Sequence, residues 1–93
     1  MMEKEMKNIA LMYKALSDDK RLTVLESLKN GEVCANDLLE KLKISQSTLS
    51  HHMKVLTESK IVIGRREGKW MYYSLNKEGI MLMQRNLLSY ALA

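Results

Sequence analysis

Sixteen residues near the middle of the chain, Ser45 to Lys60 (SQSTLSHHMKVLTESK), gather hydroxyl, imidazole and ammonium groups around an apolar seam. Leu49, Met53 and Leu56 step by four and three, the spacing of one helix face. At 100° per residue, Met53 and Leu56 lie within about 40° of Leu49, while Ser47, Ser50, His51, Lys54 and Glu58 lie roughly 100° to 200° away. One side of such a helix is buried, and the other offers a row of short hydrogen-bonding groups. Serine and histidine reach base edges, and lysine neutralises phosphate. Ser47, Ser50 and His51, near the helix start, are therefore assigned to bases and Lys54 to the backbone of a nucleic acid. Thr48, on the flank, is either a solvated residue or a hydroxyl contact to phosphate. His52 borders the apolar face, where a packed, hydrogen-bonded role comes first and a phosphate contact second.

Other chemistries fare worse. The two histidines are adjacent and point about 100° apart, so they cannot chelate a metal as an i, i+4 pair does. There is no glycine-rich phosphate loop and no histidine–carboxylate constellation outside this segment, so no enzyme and no cofactor are expected. The single cysteine, Cys34, cannot close an internal disulfide, which suits a reducing compartment. A small core residue is the first reading of Cys34, with a modifiable thiol or a lone metal ligand as alternatives.

Charge agrees with a polyanionic partner. The chain carries a net +4, but Lys43 to Lys77 holds seven basic residues against Glu58 and Glu67, a local +5, and the remainder sums to −1. A basic stretch confined to one third of a chain is the footprint of a nucleic-acid surface, although a solvated basic face looks the same until pattern supports it.

The pattern is a series of short elements. Met6, Ile9, Ala10, Tyr13 and Leu16 recur at helical steps over Glu3 to Leu16. Ser17 reads as an N-cap, with Asp18 and Asp19 in the first turn and Leu22, Leu25 and Leu28 as the stripe of a second helix that Asn30-Gly31 ends. Glu32-Val33 is a short extended piece. Leu38, Leu39 and Leu42 mark a third helix over Asn36 to Lys43, and Ser45 caps the segment 45–60. Two short helices joined by a tight turn make a helix-turn-helix. The β-branched run Ile61 to Arg66, the turn Glu67-Gly68 and the run Lys69 to Leu75 then read as a hairpin. It forms a basic wing over 64–69 that brings Arg65, Arg66 and Lys69 to phosphate, and Asn76 caps a last helix to Leu92.

The segment SQSTLSHHMKVLTESKIVIGRREGKWMYYSLN resembles the DNA-binding core of the arsenic-repressor (ArsR/SmtB) family of winged-helix regulators, and KALSDDKRLTVLESLKNGEVCANDLLEKL resembles its preceding helices. Ser-His-His-x-Lys-x-Leu, Arg-Arg-Glu-Gly and Tyr-Tyr-x-Leu, in that order, carry the likeness over Leu16 to Asn76. It implies a homodimeric repressor on double-stranded DNA with two-fold symmetry. Family members often release DNA on binding metal through Cys-x-Cys before the recognition helix or through Asp and His on the last helix. Here Cys34-Ala35-Asn36 has one thiol, and residues 77–93 contain no Asp or His. No metal site is expected on this ground. Sensing through Cys34 and a winged-helix module that binds protein are the alternatives, and RNA binding lacks evident stacking platforms.

A dimer is also expected from the last helix. Ile80, Met83, Leu87, Tyr90 and Ala91 cover one side of it, and Met81, Leu88 and Leu92 widen the apolar arc to about 200°, twice what a surface helix needs. With Met6, Ile9 and Tyr13 of the first helix they suggest an interface built from both terminal helices. The expected architecture is mainly α, about five helices and a two-stranded wing in one winged-helix domain over 1–93. No apolar run reaches the roughly 18 residues of a membrane span, and MMEKEMKN lacks the apolar stretch of a secretory signal, so no membrane contact and a cytoplasmic location are expected.

Overall fold

The computed structural model describes residues 2–93. Helix α1 (Met2–Ala15) buries Ile9, Met12 and Ala15, and half-buries Tyr13 and Leu16. Its inner face is rotated from the expected stripe: Ala10 is exposed and Met6 is 43% exposed, while Met12 and Ala15 go deepest. The reason is that α1 packs on the later helices near its C-terminal end, so the apolar residues of its first turns lie beyond the core.

Helix α2 (Asp19–Ser27) begins one residue later than a Ser17 cap would place it. Asp18 is the N-cap, accepting from the backbone N–H of Lys20 at 2.8 Å and of Arg21 at 3.3 Å. Ser17 instead closes the end of α1 by donating to the Lys14 carbonyl at 2.7 Å. A carboxylate suits the positive end of the helix better than a hydroxyl does. Val24 and Leu28 fill the inner face with Leu25 half-buried beside them, while Leu22 remains 48% exposed, so the expected leucine stripe holds at Leu25 and Leu28 and Val24 replaces Leu22 at its start.

Strand β1 (Val33–Cys34) leads into α3 (Ala35–Leu42), which buries Leu38 and Leu42. Lys43 turns out of it in the left-handed region, with φ of 55°. Helix α4 (Gln46–Glu58) starts where Ser45 accepts from the Thr48 N–H at 3.1 Å, as its sequence predicts. Leu49, Met53 and Leu56 form the buried seam of α4, each 3% exposed or less. Removing such side chains from water contributes about 1.5–3 kcal/mol each, and this fixes the rotation of α4 about its own axis.

Strands β2 (Val62–Glu67) and β3 (Trp70–Leu75) form the hairpin, in register from Val62 opposite Leu75 to Glu67 opposite Trp70. Gly68, at φ of +62°, makes the two-residue turn possible. The sheet has a third member that the sequence offered only as an extended piece. Val33 and Cys34 pair with Tyr73 and Tyr72, giving the order β1-β3-β2. Helix α5 (Lys77–Ala91) is capped by Asn76, which accepts from the Gly79 N–H at 3.4 Å and donates to the Lys60 carbonyl at 2.9 Å. Met83 joins the core, and Tyr13 donates to Asn86 Oδ1 at 2.7 Å, tying α5 to α1.

Candidate nucleic-acid interface

The exposed edge of α4 follows from its buried seam. Ser47, Thr48, Ser50, His51 and Lys54 are all exposed, while Leu49, His52 and Met53 face inward. Ser45 fastens the first turn: its hydroxyl donates to Thr48 Oγ1 at 2.8 Å and lies 3.2 Å from Ser47 Oγ. Thr48 is therefore engaged in the cap, and Ser47 is held at the helix tip with lone pairs to spare.

Two surfaces flank this edge. On the wing side, a cleft of about 400 Å³ is bordered by Gln46 and Ser50 of α4, Cys34 and Asn36 at the start of α3, and Arg66, Lys69, Trp70 and Tyr73 of the hairpin. On the α1 side, a second cleft of about 390 Å³ has His51, Val55 and Glu58 facing Leu11, Lys14 and Arg21. Ser50 and His51 thus open onto opposite flanks, with Ser47 and Lys54 between them. The apolar steps of the sequence do not single out Gln46, which precedes the first of them. Its exposure at the first position of α4 places a bidentate hydrogen-bonding amide beside Ser50.

The basic residues of the wing divide. Among the described residues Arg66 and Lys69 form no ion pair with a carboxylate. Arg65, assigned to phosphate from sequence, donates Nε and Nη2 to the two oxygens of Glu32 at 2.8 Å each and Nη1 to Glu67 at 2.6 Å. Hydrogen bonding from Arg65 holds the Glu32 carboxyl below its usual range, against the small opposing effect of burial, and the same contacts raise the guanidinium's pKa.

His52 is 7% exposed and its Nδ1 lies 3.2 Å from Arg21 Nη1, so it packs and accepts a hydrogen bond, the first of its two readings. Cys34 is half-buried at the N-cap of α3. A metal of the Cys-x-Cys kind does not fit this corner. Asn36 supplies no thiolate, the neighbouring charges are the cations Arg66 and Lys69, and a soft tetrahedral site needs more than one thiolate.

The residues expected at a dimer interface also divide. Ile9 and Met83 are 9% and 7% exposed within one chain, and Tyr13 and Ile80 are half-buried. Met6, Leu87 and Tyr90 stand out from the body, and Met81, Leu88 and Leu92 lie exposed on the opposite side of α5.

A three-helix unit carrying a helix-turn-helix, followed by a basic hairpin, defines a winged-helix DNA-binding protein. Comparison with known proteins agrees. Residues 18–63 match the model of the arsR family of bacterial regulatory proteins. The arsenical resistance operon repressor of Staphylococcus xylosus is 44% identical over 81 residues, which span 87% of this chain and 78% of that one. The transcriptional repressor SdpR of Bacillus subtilis (strain 168) is 38% identical over 65 residues, 70% of this chain and 72% of its own. Among solved structures, the homodimeric winged helix-turn-helix DNA-binding domain Mb0332 of Mycobacterium bovis, at 23% identity, shares the fold with a TM-score of 0.80 over 97% of this chain and 84% of that one. The chain belongs to the arsR family and is a DNA-binding transcriptional regulator. Among the described residues no helix is long and apolar enough to cross a membrane.

Proposed function

We propose that the chain is a homodimeric repressor that binds an inverted-repeat operator, α4 entering the major groove and the wing lying along the adjacent backbone. The observation that carries this reading is the exposed edge of α4, held in one rotation by its buried seam and flanked by Arg66 and Lys69, which have no carboxylate partner among the described residues. Ser47, Ser50 and His51 read bases, joined by Gln46, while Lys54, Arg66 and Lys69 meet phosphate and Thr48 supports the first turn. Two-fold pairing through α1 and α5 spaces the two copies of α4 about one DNA turn, roughly 34 Å, apart. Residues 1–93 act as one unit, in the cytoplasm and without enzymatic activity.

Regulation in this reading does not use the metal pair common in the family, because Cys34 lacks its second thiol. The decisive experiment is genomic footprinting of the purified dimer, followed by titration of the recovered duplex at several salt concentrations. A symmetric protected site and a steep negative slope of log K against log salt are expected, with about −0.9 for each phosphate contact. A shallow slope with equal affinity for any duplex would sink the reading. Zinc- or arsenite-dependent release from the operator would overturn the metal-free part alone.

A further inference from the structure

Arg65 and Arg66 are neighbours in β2, and strand alternation sends them to opposite faces of the sheet. Arg66 lines the cleft shared with Gln46 and Ser50 of α4. Arg65 turns away from α4, and each nitrogen of its planar fork already donates one hydrogen bond, Nε and Nη2 to Glu32 and Nη1 to Glu67, which takes three of its five N–H groups. Its guanidinium carbon lies 4.8 Å from the centre of the Tyr72 ring. Arg65 sits in one outer strand and Glu32 immediately precedes the other, so the side chain crosses the middle strand to make its bond. Tyr72, over which it crosses, is the register partner of both Arg65 and Cys34.

The charges matter as much as the geometry. One guanidinium between two carboxylates leaves a local charge of −1, so the group offers a phosphate no net attraction. A DNA phosphate could take the edge formed by Nε and Nη2 only by displacing Glu32, already bound in the bidentate geometry that arginine favours. Arg66 and Lys69, without carboxylate partners among the described residues, face no such competition. The link also joins segments 33 residues apart, across a strand pair, β1 with β3, that is only two residues long. So short a ladder supplies little rigidity of its own.

We propose that Arg65 is a positioning residue and makes no phosphate contact: through Glu32 it straps the wing to the segment that leads into α3, fixing where Arg66 and Lys69 stand relative to α4. This rests on the wing touching DNA. Binding of a specific operator duplex by the full-length dimer tests it, with Glu32→Gln, Arg65→Gln, Arg65→Lys and Arg66→Gln compared over a range of salt. Glu32→Gln removes a negative charge near the DNA and would tighten binding on electrostatic grounds alone. The strap predicts the opposite sign, an affinity about threefold lower with the salt slope unchanged. Arg65→Lys keeps the charge but loses the fork, and falls as far as Arg65→Gln.

Tighter or unchanged binding by Glu32→Gln, or a slope reduced by about 0.9 in Arg65→Gln, overturns the proposal. A second readout needs no DNA. Trp70, the only tryptophan, sits at the start of β3, and its fluorescence anisotropy decay reports the motion of the hairpin. Greater mobility in Glu32→Gln is expected, and unchanged mobility counts against the strap. If Arg66→Gln leaves the slope untouched, the wing's contact with DNA fails, and that result is separable from the Trp70 measurement.

Discussion

Arg21 donates through Nη1 to Nδ1 of His52 across 3.2 Å, joining the first turns of α2 to the middle of α4. The same guanidinium donates through Nε to the Ala15 carbonyl at 2.6 Å, so one side chain ties together α1, α2 and α4. Arginine has no acceptor, which fixes Nδ1 of His52 as the bare nitrogen and leaves its proton on Nε2. Burial lowers the His52 pKa below 6.5, Arg21 and His51 push it the same way, and the carboxylates of Asp18 and Asp19 only partly oppose them. The folded state thus favours neutral His52, while the unfolded chain takes up a proton near 6.5. The stability this contributes is complete above about pH 6.5 and is lost as pH falls from there through the lower folded value. Melting temperature measured from pH 8 to pH 5.5 should decline over that range, and His52→Asn, which keeps an acceptor toward Arg21, should flatten the decline. An equal decline in both proteins rejects the assignment.

The opposite flanks of Ser50 and His51 separate base reading from charge. Ser50→Ala and His51→Ala should each cost about 1–3 kcal/mol on the operator and much less on random duplex. Gln46→Ala should behave as they do. Lys54→Ala should instead weaken both duplexes alike and lower the salt slope by about 0.9. Paired titrations on the two duplexes at fixed salt decide this, and equal losses on both for the serine and histidine variants would remove their base-reading role.

Gly79 is buried in the first turn of α5, where a Cβ would run into the backbone carbonyl of Lys60. The contact partner is backbone, so it cannot swing aside as a side chain would. Gly79→Ala should destabilise the fold by about 1–3 kcal/mol, despite alanine's better helix propensity. Asn76→Ala, which removes the cap and the bond to the Lys60 carbonyl, should cost about 1 kcal/mol. Urea unfolding would measure both, and a stabilised Gly79→Ala would show that α5 is free to move off Lys60.

What the sequence revealed was local. Ser45 and Asn76 cap their helices because the residue type and the apolar steps after it lie within a few positions. Ser17 and Asp18 are both good caps in the sequence, and one extra turn residue after α1 makes Asp18 the cap and not a first-turn acid. Periodicity places Leu22 and Ala10 inward, yet the faces that bury Val24, Met12 and Ala15 are chosen by neighbouring helices that a single stripe does not specify. Arg65 reads as a free cation in the sequence because composition cannot show that Glu32, 33 residues earlier, closes on it across the sheet. Gln46 lies before the seam that gives α4 its phase, so the apolar pattern does not point to it.

The apolar surface that one chain leaves uncovered supplies the last prediction. Leu87 and Tyr90 are 61% and 63% exposed, on the same helical face as buried Met83, so α5 carries its core-facing stripe past the end of the core. Met6, 43% exposed, does the same on the first turns of α1. Helices continue an apolar stripe into solvent at a cost of about 25 cal/mol for each Å² left wet, and a second copy meeting the same two helices removes that cost for both. Leu87→Glu places a charge in this surface without touching Met83 or the Tyr13–Asn86 bond, so the fold should persist while the dimer comes apart. Sedimentation equilibrium should show monomer mass, with the helical signal in circular dichroism retained. Operator affinity should fall steeply, because one copy of α4 then binds alone. A dimer mass unchanged in Leu87→Glu would place the interface elsewhere, and the exposed row Met81, Leu88 and Leu92 on the opposite side of α5 would be the next surface to test.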